Sequence, residues 1–477
     1  MLFNSIEFAI FLPIVFVLYW FVINKSLKLQ NILLLIASYV FYGWWDWRFL
    51  SLIAFSSLVD YIVGLRLSET EDSQKRKVLL WVSILVNLGF LGFFKYFNFF
   101  AESFADAFTL LGKHIEPTRL SVILPVGISF YTFQTLSYSI DVYKKKLEPT
   151  QDIIAFFAFV SFFPQLVAGP IERASNLLPQ FYKKRYFEYA KASDGMRQIL
   201  WGLFKKVVIA DNAAAYANEI FNHSGEYSGS TLILGAVFFA FQIYGDFSGY
   251  SDIAIGTSRL FGFNLMQNFA FPYFSRDIAE FWRRWHISLS TWFRDYLYIP
   301  LGGSRGGTWM KIRNTFIIFL VSGFWHGANW TFIVWGGLNA IYFLPLLLTK
   351  NNRNNLDIVA RGRILPSFKD CGLILLTFVS TVFAWIFFRA RDLSQAFDII
   401  GEIFSTTIFN RFEVFSGKLV GFLIVFMLAE WLGRDSKYAL GKAYLWPKWI
   451  RFSIYSLIIF AIFVYSGQQQ EFIYFQF

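Results

Sequence analysis

Long apolar runs recur along the chain and are separated by short polar or charged stretches. A helix of about 20 apolar residues crosses a hydrocarbon core about 30 Å thick. The runs are Ile6–Ile23, Asn31–Trp47, Phe49–Leu65, Val78–Phe100, Ser121–Val142, Ile153–Gly169, Met196–Ile220, Thr231–Tyr250, Thr315–Leu348, Leu373–Phe388, Val420–Leu432 and Ile450–Tyr465. Strands of about ten residues with alternating polarity, the mark of an outer-membrane barrel, are absent. The pattern predicts an all-α polytopic membrane protein of eleven or twelve crossings, forming one integral-membrane domain over residues 1–477. Ile153–Gly169 is interrupted by Pro164 and has basic flanks on both sides, so it reads as a re-entrant segment. Thr315–Leu348 fits either one long tilted helix or two tight spans. Inverted repeats, the usual sign of a transporter, do not show.

Composition supports the pattern. The chain is 56% hydrophobic and 16% charged, against about 25% charged in soluble domains. The net charge of +11 could suggest nucleic acid in a soluble protein. Here the basic residues sit in alternate loops: Lys25 and Lys28, then Lys75–Lys77, then Lys144–Lys146. That arrangement follows the positive-inside rule and points to the inner leaflet rather than to nucleic acid. It places those loops on the cytoplasmic side of the membrane. The one cysteine, Cys371, opens an apolar helix and reads as a lipid-facing or packed thiol. Metal motifs and a GxSxG elbow are missing, Ser248 in GDFSG having the wrong spacing.

One polar stretch stands out, from Phe281 to Asn339. It opens FWRRWHISLSTWFRDYLYIPLGGSRGG and ends SGFWHGANWTFIVWGGLN. Two of the four histidines, His286 and His326, lie here; His114 and His223 fall in loops and read as surface residues. On a continuous helix, Ser322, Asn329 and Trp330 would share a face with His326. A neutral imidazole there can take a proton from a hydroxyl, and the same residue can equally be a packing histidine. Gly323, Gly327, Gly336 and Gly337 would let another backbone approach closely. Around His286, Arg283, Arg284 and Arg294, with Asp295, could grip a phosphate-bearing donor or form a basic amphipathic helix on the inner leaflet. LGGSRGG, Leu301–Gly307, lacks P-loop spacing and reads as a turn at a helix end. Asp246 and Asp252, at the edge of an apolar run, read either as functional intramembrane acids or as interface residues that cap or pair with nearby arginines.

VAGPIER (Val167–Arg173), YGDFSGYSDIAIG (Tyr244–Gly256), the two histidine blocks and the terminal FIYFQF together resemble the bacterial membrane-bound O-acyltransferases. The likeness is strongest to the branch holding the alginate O-acetylase membrane subunit. The resemblance implies a ring of tilted helices around a tunnel. It also implies a catalytic His326, a second active-site His286, and substrate contacts from Arg283, Arg284, Arg294, Asp295, Ser322, Trp325 and Asn329. It implies no bound cofactor, and the acyl donor would be acetyl-CoA or an acyl-carrier thioester. The acceptor would be an exported polysaccharide or a periplasmic SGNH-type acyltransferase partner. Two rival readings are a non-catalytic scaffold for such a partner and a glycolipid transporter.

Overall fold

The computed structural model describes residues 1–121, 123–167 and 169–473. Ala168 of VAGPIER and Tyr474–Phe477 of FIYFQF lie outside them. Among the described residues every regular element is a helix. The helices are α1 (Ile6–Val17), α2 (Leu27–Asp46), α3 (Leu50–Glu69), α4 (Ser73–Leu91), α5 (Phe97–Leu110), α6 (Ile128–Tyr143), α7 (Ile153–Ser161), α8 (Phe163–Leu166) and α9 (Ala174–Phe181). They continue with α10 (Tyr189–Leu203), α11 (Asp211–Asn222), α12 (Gly229–Leu260), α13 (Ile278–Arg284), α14 (Ile287–Phe293), α15 (Gly307–His326) and α16 (Trp330–Leu348). The last are α17 (Phe368–Arg389), α18 (Leu393–Ile403), α19 (Gly417–Gly433) and α20 (Lys448–Val464). Among the described residues, five segments are long and apolar enough to cross a membrane: 27–69, 73–110, 229–260, 330–348 and 368–389. The first two each contain two helices, so the chain is a multi-pass membrane protein.

Many helix starts follow from local chemistry. The side chains of Ser26, Asp72, Asp152, Asp277, Asn329, Ser367 and Ser416 each accept a hydrogen bond from an N–H in the first turn that follows. Such caps satisfy donors that have no partner inside the helix.

The chain divides into two compact units, residues 1–192 with 257–265, and residues 193–256 with 266–477. In the first, Asp60 on α3 is fully buried. Its carboxyl accepts from Ser83, from Ser139 at 2.7 Å and from the Asn87 amide at 2.8 Å. These bonds tie α3 to α4 and α6, since a polar group away from water must find a partner in the protein. The same unit holds the segment around Pro164, which is broken as expected. The helix stops at Ser161 and restarts at Phe163. The break is lined with side-chain partners: Gln134 and Gln165 donate to the Phe159 carbonyl at 2.8 and 3.1 Å, and Ser38 accepts from the Phe163 N–H at 3.0 Å. Irregular backbone buried away from water is tolerated when protein satisfies it in this way.

In the second unit, Asp246 and Asp252 are buried inside α12, and their cations are lysines, not arginines. Lys205 pairs with Asp252 at 2.5 Å, and Gln198 donates to the same carboxylate at 2.6 Å. Lys206 bridges Asp246 and Asp211, at 2.8 Å to each. Both lysines lie on a widened π-helical stretch, Phe204–Ala210, which joins α10 to α11. The segment after α20 is fastened to this cluster. The Ile473 N–H donates to Asp246 at 2.8 Å, and Lys206 donates to the Gln470 carbonyl at 3.1 Å.

The apolar run Thr315–Leu348 resolves into two helices, α15 and α16, reversing through Gly327–Asn329. They pack at backbone distance. A methyl group on Gly323 would stand against the Phe332 carbonyl, and one on Gly336 against the Phe319 carbonyl. Gly337 is different, because a methyl there would meet only the Leu320 side chain at 3.8 Å.

Two stability predictions follow from this packing. Gly336→Val should lower the melting temperature of the detergent-purified protein, in line with an overpacking cost of about 1–3 kcal/mol, while Gly337→Ala leaves it unchanged. Lys206→Met should cost about 3–5 kcal/mol by leaving two buried carboxylates without their cation. Limited proteolysis should then cut faster within residues 466–473 than in the unmodified protein.

Candidate active site

His286 sits between α13 and α14 with a left-handed backbone, φ 43°. A side-chain-bearing residue adopts that conformation only when its surroundings impose it. Here two backbone hydrogen bonds do so: Ala270 N–H to the Arg284 carbonyl at 2.9 Å, and Ile287 N–H to the Asn268 carbonyl at 2.8 Å. Below the turn, Glu280 accepts from Arg276 at 3.0 Å and from Arg284 at 2.8 Å, fixing α13. The Trp282 indole donates to Asn339 on α16 at 3.2 Å. The turn is thereby tied to the α15–α16 hairpin.

The His286 ring is 1% exposed. Phe247 stands edge-on to it at 4.6 Å between ring centres, and Phe269 and Trp325 lie at 6.3 and 6.2 Å. Its Nδ1 lies 3.1 Å from Oδ1 of Asn268. Burial pushes the imidazole down to about 3, so it is neutral near pH 7. His326 is the last residue of α15 and is 3% exposed. Trp325 at 4.9 Å, Trp335 at 5.1 Å and Phe388 at 5.4 Å surround it with their rings. The two imidazoles, 40 positions apart in sequence (326 − 286), have ring centres 6.4 Å apart. That spacing is too wide for a direct nitrogen–nitrogen hydrogen bond.

The other expected site residues scatter. Asn329 does not share a helix face with His326, because α15 ends at His326. Asn329 instead caps α16 through the Thr331 N–H at 3.0 Å and donates to the Arg391 carbonyl at 2.9 Å. Trp330 starts that second helix. Arg284 is committed to Glu280, and Arg283 donates to the carbonyls of Asn352 and Asn355 at 2.9 and 2.7 Å. Arg294 pairs with Asp295 at 2.7 Å.

Arg294 and Ser322 do line a cavity of about 490 Å³. Lys311, Lys350 and Arg353 also line it, as do Trp282 and Phe319. Neither histidine lines it. Aromatic contacts link its lining to them, with Trp282 5.7 Å from Trp335 and Trp335 5.1 Å from His326. Arg283 lines a neighbouring opening of about 420 Å³ that shares Trp282, Asn352 and Arg353. LGGSRGG forms the turn leading into α15, with Gly302, Gly303, Gly306 and Gly307 all at positive φ. His114 and His223 are exposed, as is Cys371.

Sequence reasoning missed Asn268, Lys350 and Arg353. A lone asparagine and a basic loop carry no motif; only the fold brings them to the site.

Residues 149–382 match the membrane-bound O-acyltransferase family. The chain is 40% identical to a probable alginate O-acetylase of Pseudomonas aeruginosa, over 91% of its own length and 80% of the relative's. It is 36% identical to a peptidoglycan O-acetyltransferase of Helicobacter pylori, over 84% of its length and 79% of the relative's. It is 30% identical to a teichoic acid D-alanyltransferase of Streptococcus thermophilus, over 51% and 62%. On this likeness and its fold, the chain is a membrane acyltransferase and belongs to the membrane-bound O-acyltransferase family.

Proposed function

We propose that the protein is an O-acetyltransferase of the bacterial inner membrane. It takes an acetyl group from a cytoplasmic thioester, acetyl-CoA or an acyl carrier, and delivers it to a hydroxyl of an exported polysaccharide or of a periplasmic SGNH-type partner. The relatives named for alginate and peptidoglycan O-acetylation support an exported glycan as acceptor class. The basic lining residues Lys311, Lys350, Arg353 and Arg294 suit the phosphates of such a donor. The observation that carries the reading is the approach of two buried imidazoles to 6.4 Å.

In this mechanism His326 is the general base. It takes the proton of the acceptor hydroxyl as the oxygen attacks the thioester carbonyl. The C–S bond breaks, and the thiolate takes the proton back from the imidazolium. His286 orients the reacting groups from the opposite side. The aromatic walls around both rings keep water from competing for the acyl group.

The reading is tested with purified protein in liposomes and radiolabelled acetyl-CoA. His326→Ala should lower transfer by about 10²–10⁴-fold, with the protein still monodisperse in detergent. Activity retained in that variant would overturn the role of His326.

A further inference from the structure

Asn268 determines which nitrogen of His286 carries the proton. The Ser288 backbone N–H points at the Asn268 side chain at 3.3 Å, and an N–H can only donate. The atom it meets is therefore the amide oxygen, which also accepts from the Ser288 hydroxyl at 2.8 Å. The amide nitrogen then faces the other way and donates to Ser251 at 3.0 Å. An amide flip would set the NH₂ against the Ser288 N–H. With the oxygen so placed, the His286 Nδ1 that lies 3.1 Å from it must be the donor. The proton is on Nδ1, and the ring lone pair is on Nε2.

We infer that Asn268 is a positioning residue that locks His286 in the Nδ1–H tautomer. His286 then meets the substrates as a hydrogen-bond acceptor through Nε2, not as a donor polarising the thioester carbonyl. The group it holds is a substrate O–H or N–H, either a hydroxyl of the acceptor or an amide N–H of the donor's pantetheine arm. This inference rests on the reading that the two histidines flank the transferred acyl group. The surroundings fit a neutral acceptor: Phe247 from α12, Phe269 before α13, and Trp325 and His326 from α15 pack against the ring. Among these, His326 is titratable. Behind Asn268 and Ser251 lies a small polar cavity lined by Lys205, Asp252, Glu430 and Lys437.

Two substitutions at Asn268 test the lock. Asn268→Asp keeps the acceptor oxygen but makes it anionic, which favours the imidazolium. The acidic limb of the rate–pH profile should then move up by about one unit or more. Asn268→Leu removes the lock, and kcat/KM should fall about 10–100-fold. A rise in KM for the glycan would assign the held group to the acceptor, and a rise in KM for the thioester would assign it to the donor. Ser251→Ala removes only the rear bond and should leave the pH profile unchanged. If Asn268→Leu does not fold, the Asn268→Asp profile decides alone. An Asn268→Asp profile identical to the unmodified protein's would overturn the inference. So would full activity in His286→Ala. Retained activity in His326→Ala would instead sink the underlying mechanism, so the two failures are distinguishable.

Discussion

The site depends on how closely α15 and α16 approach each other. Gly323 and Gly336 bring each helix onto a carbonyl of the other, and the turn at Gly327 ends α15 at His326. Without a hydrophobic driving force between helices in lipid, small residues and backbone contact are what hold such a pair. The hairpin presents His326 at a helix end, where the imidazole projects among Trp325, Trp335 and Phe388 instead of running along a helix flank. Trp282 reaches across to Asn339, so the same hairpin locates α13 and the turn that carries His286.

A second constraint acts on every buried polar group. Far from water, each must find its partner within the protein. The second unit meets this with lysines on a π-helical stretch, which neutralise the carboxylates of α12 and fasten residues 470–473. It meets it again at Asn268, whose amide is spent on Ser251, Ser288 and His286. Because both the oxygen and the nitrogen of that amide are engaged, its orientation is fixed. A strained backbone at His286 is the local cost, offset by the hydrogen bonds around it.

Much of the architecture was legible in the apolar runs, because lipid imposes a length and a composition on each span. The break before Pro164 was legible for the same reason that prolines end helices. The split of Thr315–Leu348 was not, since Gly327, Ala328 and Asn329 do not interrupt apolarity enough to mark a reversal. That ambiguity carried the expectation of a shared helix face for Asn329, which the structure replaces with a helix cap. The partners of Asp246 and Asp252 were also hidden. Lys205 and Lys206 lie about 40 residues earlier, and in sequence they resemble ordinary inner-leaflet lysines. Amphipathic α18 went unnoticed because it is short and follows a charged stretch. The histidine blocks were legible as rare polar points in apolar surroundings, whereas Asn268 acts through geometry alone and leaves no pattern.

The central claim is that transfer takes place between the two imidazoles. The most direct measurement is a cryo-EM structure of the protein with a non-hydrolysable acetyl-thioether analogue of coenzyme A. The account predicts the acetyl carbon between the two rings, with room for an acceptor oxygen at about 3–3.5 Å from that carbon. An acetyl group lodged away from both histidines, with Trp282 and Trp335 still closing the way to them, would contradict it.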